Sequence, residues 1–554
     1  MKIKLLILGI FFSTLLIAQN ENNFELSKNL EIYSDVMRKL NLQYAEDIKP
    51  GELTKNAIDA MLRDLDPYTV YIPESNLEDL DLLTRGEYGG IGALIQKQGD
   101  YVVVSEPYEN FPAQKTGLKA GDRIVEIDGE STIGKTSSEV SEKLKGVPGS
   151  KISIVVMPFN DTTRITHELE REKIKFPNIP YSGMITDNVG YISLSQFNPN
   201  SGSEVKNAFL ELDKNNDLKG IILDLRNNGG GLLNEAVEIV NIFVPKGQNV
   251  VTTKGKLKES TMTHNTKNAA VDTKIPVVVL VNENTASASE IVSGSLQDLD
   301  RAVVVGQKTY GKGLVQNILS LPYNSKIKIT VAKYYIPSGR CIQAIDYFNR
   351  DKNGVVDKIP DSLLSVFKTK GGRVVYDGAG IFPDIIVEPV RFSQISADLY
   401  AGNYIFKYAN EYYSEHDSIA KPSEFEINDA TYESFKKSVE KMDFDYLTET
   451  EVLLDRINQS AEREHYLKAI GEELENLKSS IKEEKKKDID KFRSEIEEML
   501  KIEIISRYYY QKGKIIASLE TDEDIEKAIE IINNKDLYKS ILKGTYKEEN
   551  TKEQ

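Results

Sequence analysis

Between about Phe24 and Leu65 the apolar residues fall at helical intervals, at Leu30, Tyr33, Val36, Met37 and Leu40, then at Ala57, Ile58, Met61, Leu62 and Leu65. Pro50-Gly51 interrupts the run, which predicts two helices. From about Glu87 to Glu170 the period shortens to β-like strings such as YVVV and ISIVVM, separated by glycine-rich turns. From about Ile174 to Val390, β-rich and helical strings alternate. VGYISLSQF precedes a helix from about Ser203 to Leu212, GIILDLR one near Asn234 to Ile242, and PVVVLVN one near Ser287 to Gln297, before RAVVVGQ. That alternation, with β-branched apolar runs, predicts a buried and largely parallel sheet covered by helices. Past about Phe392 the chain becomes charged and helical, and KEEKKKDIDK reads as a solvated helix face.

At 554 residues the chain exceeds a single compact core, and two to four domains are expected. The formal net charge is -16, and the lysines of the C-terminal run are interleaved with Glu and Asp. Such a surface repels phosphate backbones, which argues against nucleic acid as a partner. At the start, Lys2 and Lys4 precede a short apolar run from Leu5 to Ala18, the layout of a secretory signal peptide over residues 1–18. The run is shorter than the roughly 20 residues that cross a bilayer, which favours a cleaved leader over the alternative of an uncleaved anchor, and the expected location is the periplasm or cell envelope. One cysteine, Cys341, rules out an internal disulfide and a cysteine–histidine metal cluster. No motif calls for a metal, nucleotide or other cofactor.

The string YGGIGALI opens the β-rich region. Gly89, Gly90 and Gly92 allow a tight turn whose successive N–H groups point at one anion, followed at once by an edge strand. The carboxylate of an extended peptide fits that geometry, the peptide adding to the sheet as a further strand. Together with GLKAGDRIVEIDG (Gly117 to Gly129) the region resembles a PDZ domain. The resemblance implies capture of a C-terminal peptide at Gly89–Gly92, with Ile91, Leu94 and Ile95 nearby.

Three strings of the alternating region carry chemistry. GIILDLRNNGGGLL ends an apolar strand in Arg226, Asn227, Asn228 and Gly229–Gly231; alone it is a phosphate loop or simply a turn, and it lacks the spacing of the former. PVVVLVNENTASASEIVSGSLQD ends a buried strand in small residues that lead into a helix. There Ser287 stands beside the N–H groups of a helix N-terminus, suited to an oxyanion, or Ser-Ala-Ser merely caps the helix. VVVGQKTYGKGLVQN places Lys312 between Gly311 and Gly313, a nucleophile's base or a solvated turn lysine. A serine hydroxyl needs a base within hydrogen-bond reach. None of the four histidines, His167, His264, His416 and His465, lies in these strings. A lysine takes the role when desolvation favours its uncharged amine.

With LDPYTVYIP (Leu65 to Pro73), KITVAKYYIPSGRCIQ (Lys328 to Gln343) and VYDGAGIFPDIIVEP (Val375 to Pro389), these strings resemble the C-terminal processing peptidases, also called tail-specific proteases. The resemblance implies an α/β protease core, a Clp-protease/crotonase-like mixed sheet with helices, carrying an inserted PDZ domain between helical N- and C-terminal regions. The expected division is 19–84 helical, 85–170 PDZ, 171–390 protease core and 391–554 helical. Carried over position by position, Ser287 is the nucleophile, Lys312 the general base and Gln316 the group that orients the lysine. N–H groups of Ala288 and of Gly230 or Gly231 form the oxyanion hole, and Asp298 gives structural support. Two positions depart from the family pattern: Thr285 stands where many relatives have Ser, and Lys145 where a PDZ arginine often links peptide binding to activation. A lysine there keeps the charge and loses the bidentate fork. The implied partners are proteins with flexible C-terminal tails, with room for an adaptor or lipoprotein activator and for a homo-oligomer through the C-terminal helices. The competing reading is a PDZ-type binding or scaffold protein on a degenerate protease core.

Overall fold

The computed structural model describes residues 2–76, 86–215, 217–350, 356–358 and 360–546. The expected boundary between the N-terminal region and the β-rich module, at residues 84 and 85, lies outside them, as do Met1 and residues 547–554. The chain forms two compact units, one of Met1–Ser75 with Gln316–Thr330, the other of Asn76–Val315 with Val331–Gln554.

In the first unit, helix α1 (Lys2–Gln43) and helix α2 (Pro50–Arg63) are separated where Pro50 opens the second. Leu30, Tyr33 and Val36 on α1 are exposed, whereas Leu62 on α2 is buried. LDPYT forms an Asx turn: Asp66 Oδ1 accepts the N–H groups of Tyr68 and Thr69, and its Oδ2 the Thr69 hydroxyl. The turn launches strand β1 (Val70–Ile72), which pairs antiparallel with Lys326–Lys328.

The second unit begins with strand β2 (Glu87–Gly90) and a β-rich module of strands β3 (Ala93–Gln98), β4 (Tyr101–Pro107) and β5 (Arg123–Ile127). Helix α3 (Ser137–Leu144) follows, then strands β6 (Lys151–Met157), β7 (Ile165–Glu170) and β8 (Glu172–Lys175). The antiparallel order β3-β4-β5-β6-β7 leaves β3 at one edge. Burial along β6 alternates residue by residue, the period of a half-buried strand. Its inward side chains Ile152, Ile154 and Val156 meet Val102, Val104, Ile124 and Val140 in a separate small core.

Next comes a mixed sheet. Strand β9 (Tyr181–Met184) runs antiparallel to β10 (Val189–Ser193). Helix α4 (Ser201–Asn215) leads to β11 (Gly220–Asp224), helix α5 (Leu233–Phe243) to the later strand β12 (Val277–Val281), and helix α6 (Ala288–Asp298) to β13 (Val303–Gly306). These strands and β14 (Ile385–Ile386) are parallel, in the order β9-β10-β11-β12-β13-β14. Every residue of β11, β12 and β13 is buried, because both faces are covered. Ile221, Leu223, Val277 and Val279 point towards α4, α5 and α6. Their neighbours Ile222, Val278 and Leu280 point the other way, onto Ile525, Ala528, Ile531 and Ile532.

Those last residues belong to helix α8 (Glu523–Asn533), which with α9 (Lys535–Leu542) ends the described chain after the long helix α7 (Arg493–Ser518). Charge and helical period group residues 523–542 with the C-terminal region; in the fold they cover the second face of the protease-like sheet. The rest of that region packs around its own core of Leu399, Tyr432, Phe435, Leu500 and Ile504. In the helix Leu467–Lys491 none of the described residues is buried, as its charge run predicts. Among the described residues no helix is long and apolar enough to cross a membrane.

Candidate active site

The parallel strands end side by side, and the loops beyond their C-terminal ends converge. After β12 the chain turns through Asn282–Ser287. Thr285 is fully buried; its hydroxyl donates to the Leu225 carbonyl just past β11, and its own N–H to the Asn282 carbonyl. A hydroxyl is all that position requires. Ser287 then takes φ 59° and ψ −114° immediately before α6. A side-chain-bearing residue on this side of the map costs about 1–3 kcal/mol and persists only where its surroundings over-determine it.

What over-determines it is Glu290, one turn into α6 and completely buried. Its Oε2 accepts the N–H of Ser287 and the N–H of Lys312, each at 2.8 Å. The two backbone nitrogens therefore lie no farther apart than twice that distance. Its Oε1 accepts the Thr309 hydroxyl at 2.6 Å and the Gly311 N–H at 2.7 Å. Burial pushes the Glu290 carboxyl above its ordinary value, and these four donors pull it back. On the far side, the buried Tyr334 hydroxyl donates towards the carbonyl of Ser287, at 3.0 Å, and that of Lys312. Residues 287 and 312 are thus joined through both their N–H and their carbonyl groups.

Lys312 is half-buried between two glycines with steric reasons to be there. Gly311 has φ 86°, and a Cβ on it would stand 2.3 Å from the Ala344 Cβ. A Cβ on Gly313 would stand 2.7 Å from the Gln343 nitrogen, while the Gly313 N–H donates to Gln343 Oε1. Gln316 lies in the first unit, where its amide donates to Thr330 Oγ1 at 3.3 Å.

The loop after β11 closes over the same turn. Asn228 is fully buried: its Nδ2 donates to the Leu194 carbonyl, and its own carbonyl accepts the Ala286 N–H and the Ser289 hydroxyl. Gly230, at φ 98°, presses directly on the serine, since a Cβ there would lie 2.8 Å from the Ser287 Cβ and 2.8 Å from the Ala288 nitrogen. Its N–H is paired with Asn228 Oδ1 at 2.9 Å. Gly231 packs against the Phe197 carbonyl. Ala288 is the first residue of α6, where a helix leaves N–H groups without an intrahelical carbonyl. At the other end of α6, Asp298 accepts from Arg340 Nη2 at 2.9 Å and from the Ser338 N–H at 2.9 Å, with Asp298 and Arg340 both buried. Among the described residues, no group of three or more His, Cys, Asp or Glu side chains is arranged to hold a metal ion.

In the β-rich module the glycines sit differently from the sequence expectation. Gly89 and Gly90 belong to strand β2, paired with Lys173 and Glu172 of β8, and the turn is confined to Ile91 and Gly92, with Gly92 at φ 73°. The glycines of β2 serve close packing instead. A Cβ on Gly89 would stand 2.0 Å from the Gly146 carbonyl oxygen, and one on Gly90 would meet the Tyr88 ring. Ile91 is in the module's core, whereas Leu94 is exposed on the edge strand β3. Leu94 borders a cleft of about 380 Å³ with Tyr108, Phe176, Gln511 and Lys514. Behind α3, Arg171 donates to the carbonyls of Lys143, Leu144 and Lys151.

Peptidase family S41 matches residues 188–350, a PDZ domain residues 103–157, and a family described as "Probable PDZ-protease, C-terminal helical domain" residues 395–532. A carboxy-terminal-processing protease of Bartonella bacilliformis is 33% identical over 352 residues, covering 62% of this chain and 80% of that protein. The chain belongs to the carboxy-terminal-processing proteases. A probable CtpA-like serine protease of Staphylococcus aureus is 36% identical over 317 residues, 57% of this chain and 62% of its own. Of the solved structures, the photosystem II D1 C-terminal processing protease is 29% identical with a TM-score of 0.37, over 64% of this chain and 86% of that one. Of the two function classes the sequence admits, family membership selects the PDZ-containing serine protease over the binding protein. Glu290 is the site residue that sequence reasoning passed over. Its signal was present in Ser287-Ala-Ser-Glu290, the spacing of a capping box.

Proposed function

We propose that this protease cleaves proteins with flexible C-terminal tails through a Ser287–Lys312 dyad. The supporting observation is the buried Glu290 carboxylate, which receives the N–H groups of both residues on one oxygen. In this reading a tail adds as a strand to the open edge of β3, beside α3, its carboxylate at the Ile91–Gly92 turn and its side chains near Leu94. Ser287 Oγ attacks the scissile carbonyl carbon while the uncharged Lys312 amine takes the hydroxyl proton. The developing oxyanion is met by the Ala288 N–H and by that of Gly231, or of Gly230 once it leaves Asn228. Collapse of the tetrahedral adduct breaks the peptide bond, with the proton passing from Lys312 to the leaving amine. Water then attacks the acyl-enzyme while Lys312 takes its proton; the second adduct collapses, the ester bond to Ser287 Oγ breaks as Lys312 returns the proton to that oxygen, and the product leaves with its new carboxyl. Gln316 orients the lysine, and Asp298 supports the end of α6.

Export through a leader ending near Ala18 places the enzyme in the periplasm or cell envelope, on the strength of Lys2, Lys4 and the apolar run that follows them. Ser287→Ala and Lys312→Ala each abolish cleavage of casein or of a tailed substrate while leaving the circular dichroism spectrum unchanged. Full activity in either variant removes the dyad.

A further inference from the structure

Arg226 opens the turn that follows strand β11 and presses on Ser287, and its guanidinium is held both by a near neighbour and by a distant part of the chain. Asp224, two residues earlier, accepts from Nε at 3.0 Å and from Nη2 at 2.6 Å. Asp522 and Asp524, at the start of α8, accept from Nη1 at 2.9 Å and 2.8 Å, and Asp522 Oδ2 also lies 2.7 Å from Nη2. The Tyr191 hydroxyl donates to Asp224 Oδ2 at 2.8 Å. All four charged side chains are largely buried, and Asp524 Oδ1 has no hydrogen-bond partner among the described residues.

Three carboxylates around one guanidinium are an expensive way to attach a helix. Attachment is already supplied by Ile525, Ala528, Ile531 and Ile532, all buried against the sheet. The ionic contact does something the apolar contact does not: it fixes the first residue of the Arg226–Gly230 turn. From there the turn is held at Asn227, Asn228 and Gly230. The Asn227 N–H donates to Asn282 Oδ1, and Asn227 Oδ1 accepts from the amides of Asn282 and Asn284. The Asn228 carbonyl accepts the Ala286 N–H, and Gly230 abuts Ser287.

We propose that Asp522 and Asp524 are positioning residues for catalysis: through Arg226 they hold the Asn227–Gly230 turn against Ser287, so that the C-terminal helix α8 frames the oxyanion side of the active site. The inference rests on Ser287 being the nucleophile.

The test uses the full chain with Asp522→Asn/Asp524→Asn. Asparagine keeps the shape and, at 522, the N-cap that α8 takes from this side chain, while it withdraws the charge and turns one oxygen that faced Arg226 into a donor. With a fluorogenic peptide, kcat falls by about 10- to 100-fold, the scale expected when an oxyanion donor is displaced. KM stays within about twofold, the signature of a contact felt in the transition state alone. The loss is not additive with that of Arg226→Gln, because all three side chains act as one clamp. Wild-type kcat in the double variant overturns the proposal, as does full additivity with Arg226→Gln, which would mean that α8 acts by general stability. Should the double variant aggregate, Asp522→Asn and Asp524→Asn are read singly on the same assay. Ser287→Ala is the blank: turnover that survives in it refutes the nucleophile, whereas turnover that needs Ser287 but ignores both aspartates refutes this inference alone.

Discussion

Replacing Glu290 by Gln tests the joint between the two candidate catalytic residues. The carboxylate offers about four lone-pair sites, and four donors occupy them: the N–H groups of Ser287, Lys312 and Gly311 and the Thr309 hydroxyl. Glutamine keeps the volume but turns one acceptor atom into a donor. In its better orientation the amide oxygen retains Ser287 and Lys312. The amide nitrogen then faces Thr309, whose hydroxyl can turn to accept even while it serves the Ile381 N–H, and it faces Gly311, which cannot. One buried N–H is orphaned against another donor, a cost of about 1–3 kcal/mol. The repulsion falls on the residue next to Lys312, and a displacement of about 1 Å there lowers kcat by about 100-fold. Glu290→Gln is therefore expected to shift the urea midpoint down modestly and kcat down strongly, with KM little changed. Peptide hydrolysis and urea unfolding followed by circular dichroism measure both. Wild-type kcat together with a wild-type midpoint would refute the joint.

Gly89→Ala puts a methyl group 2.0 Å from the Gly146 carbonyl oxygen, where backbone must move; KM for a tailed substrate should rise about tenfold, equivalent to about 1.4 kcal/mol of lost binding. A chain stopped after residue 521 exposes the sheet face now covered by Ile525, Ile531, Ile532, Tyr538 and Ile541. At about 1.5–3 kcal/mol per side chain the loss rivals the whole stability of a domain, about 5–15 kcal/mol, so the product should aggregate or bind ANS strongly. A soluble, active product would contradict that packing. The Cys341 thiol is pushed upward chiefly by its burial, which disfavours the thiolate. Iodoacetamide should therefore label the native protein slowly and the urea-unfolded protein quickly, leaving native activity intact.

The parallel strands were legible because burial on both faces leaves almost no polar position: GIIL and VVVLV carry that signature in any context. The helix break at Pro50 and the solvated run around KEEKKKDIDK were legible for equally local reasons. The glycines of YGGIG misled, because glycine marks a turn by default and nothing local announces that Gly146 will approach Gly89. Residues 523–542 were grouped by charge and period with the helices before them, although their apolar face fits a sheet some 200 to 300 residues earlier in the chain. Asp298 and Thr285 carried no local sign of their partners, Arg340 and Leu225, which lie 42 and 60 residues away. In each case the residue type was readable and the distant partner that gives it meaning was not.

The backbone at Ser287 bears on how an inactive form of this enzyme should be made. Alanine removes the hydroxyl but inherits the unfavourable torsion angles, whereas glycine occupies them without steric objection. Ser287→Gly recovers part of the roughly 1–3 kcal/mol held in that turn, against a smaller entropic loss on folding. For capturing uncut clients from a cell extract, the glycine form should be the sturdier bait.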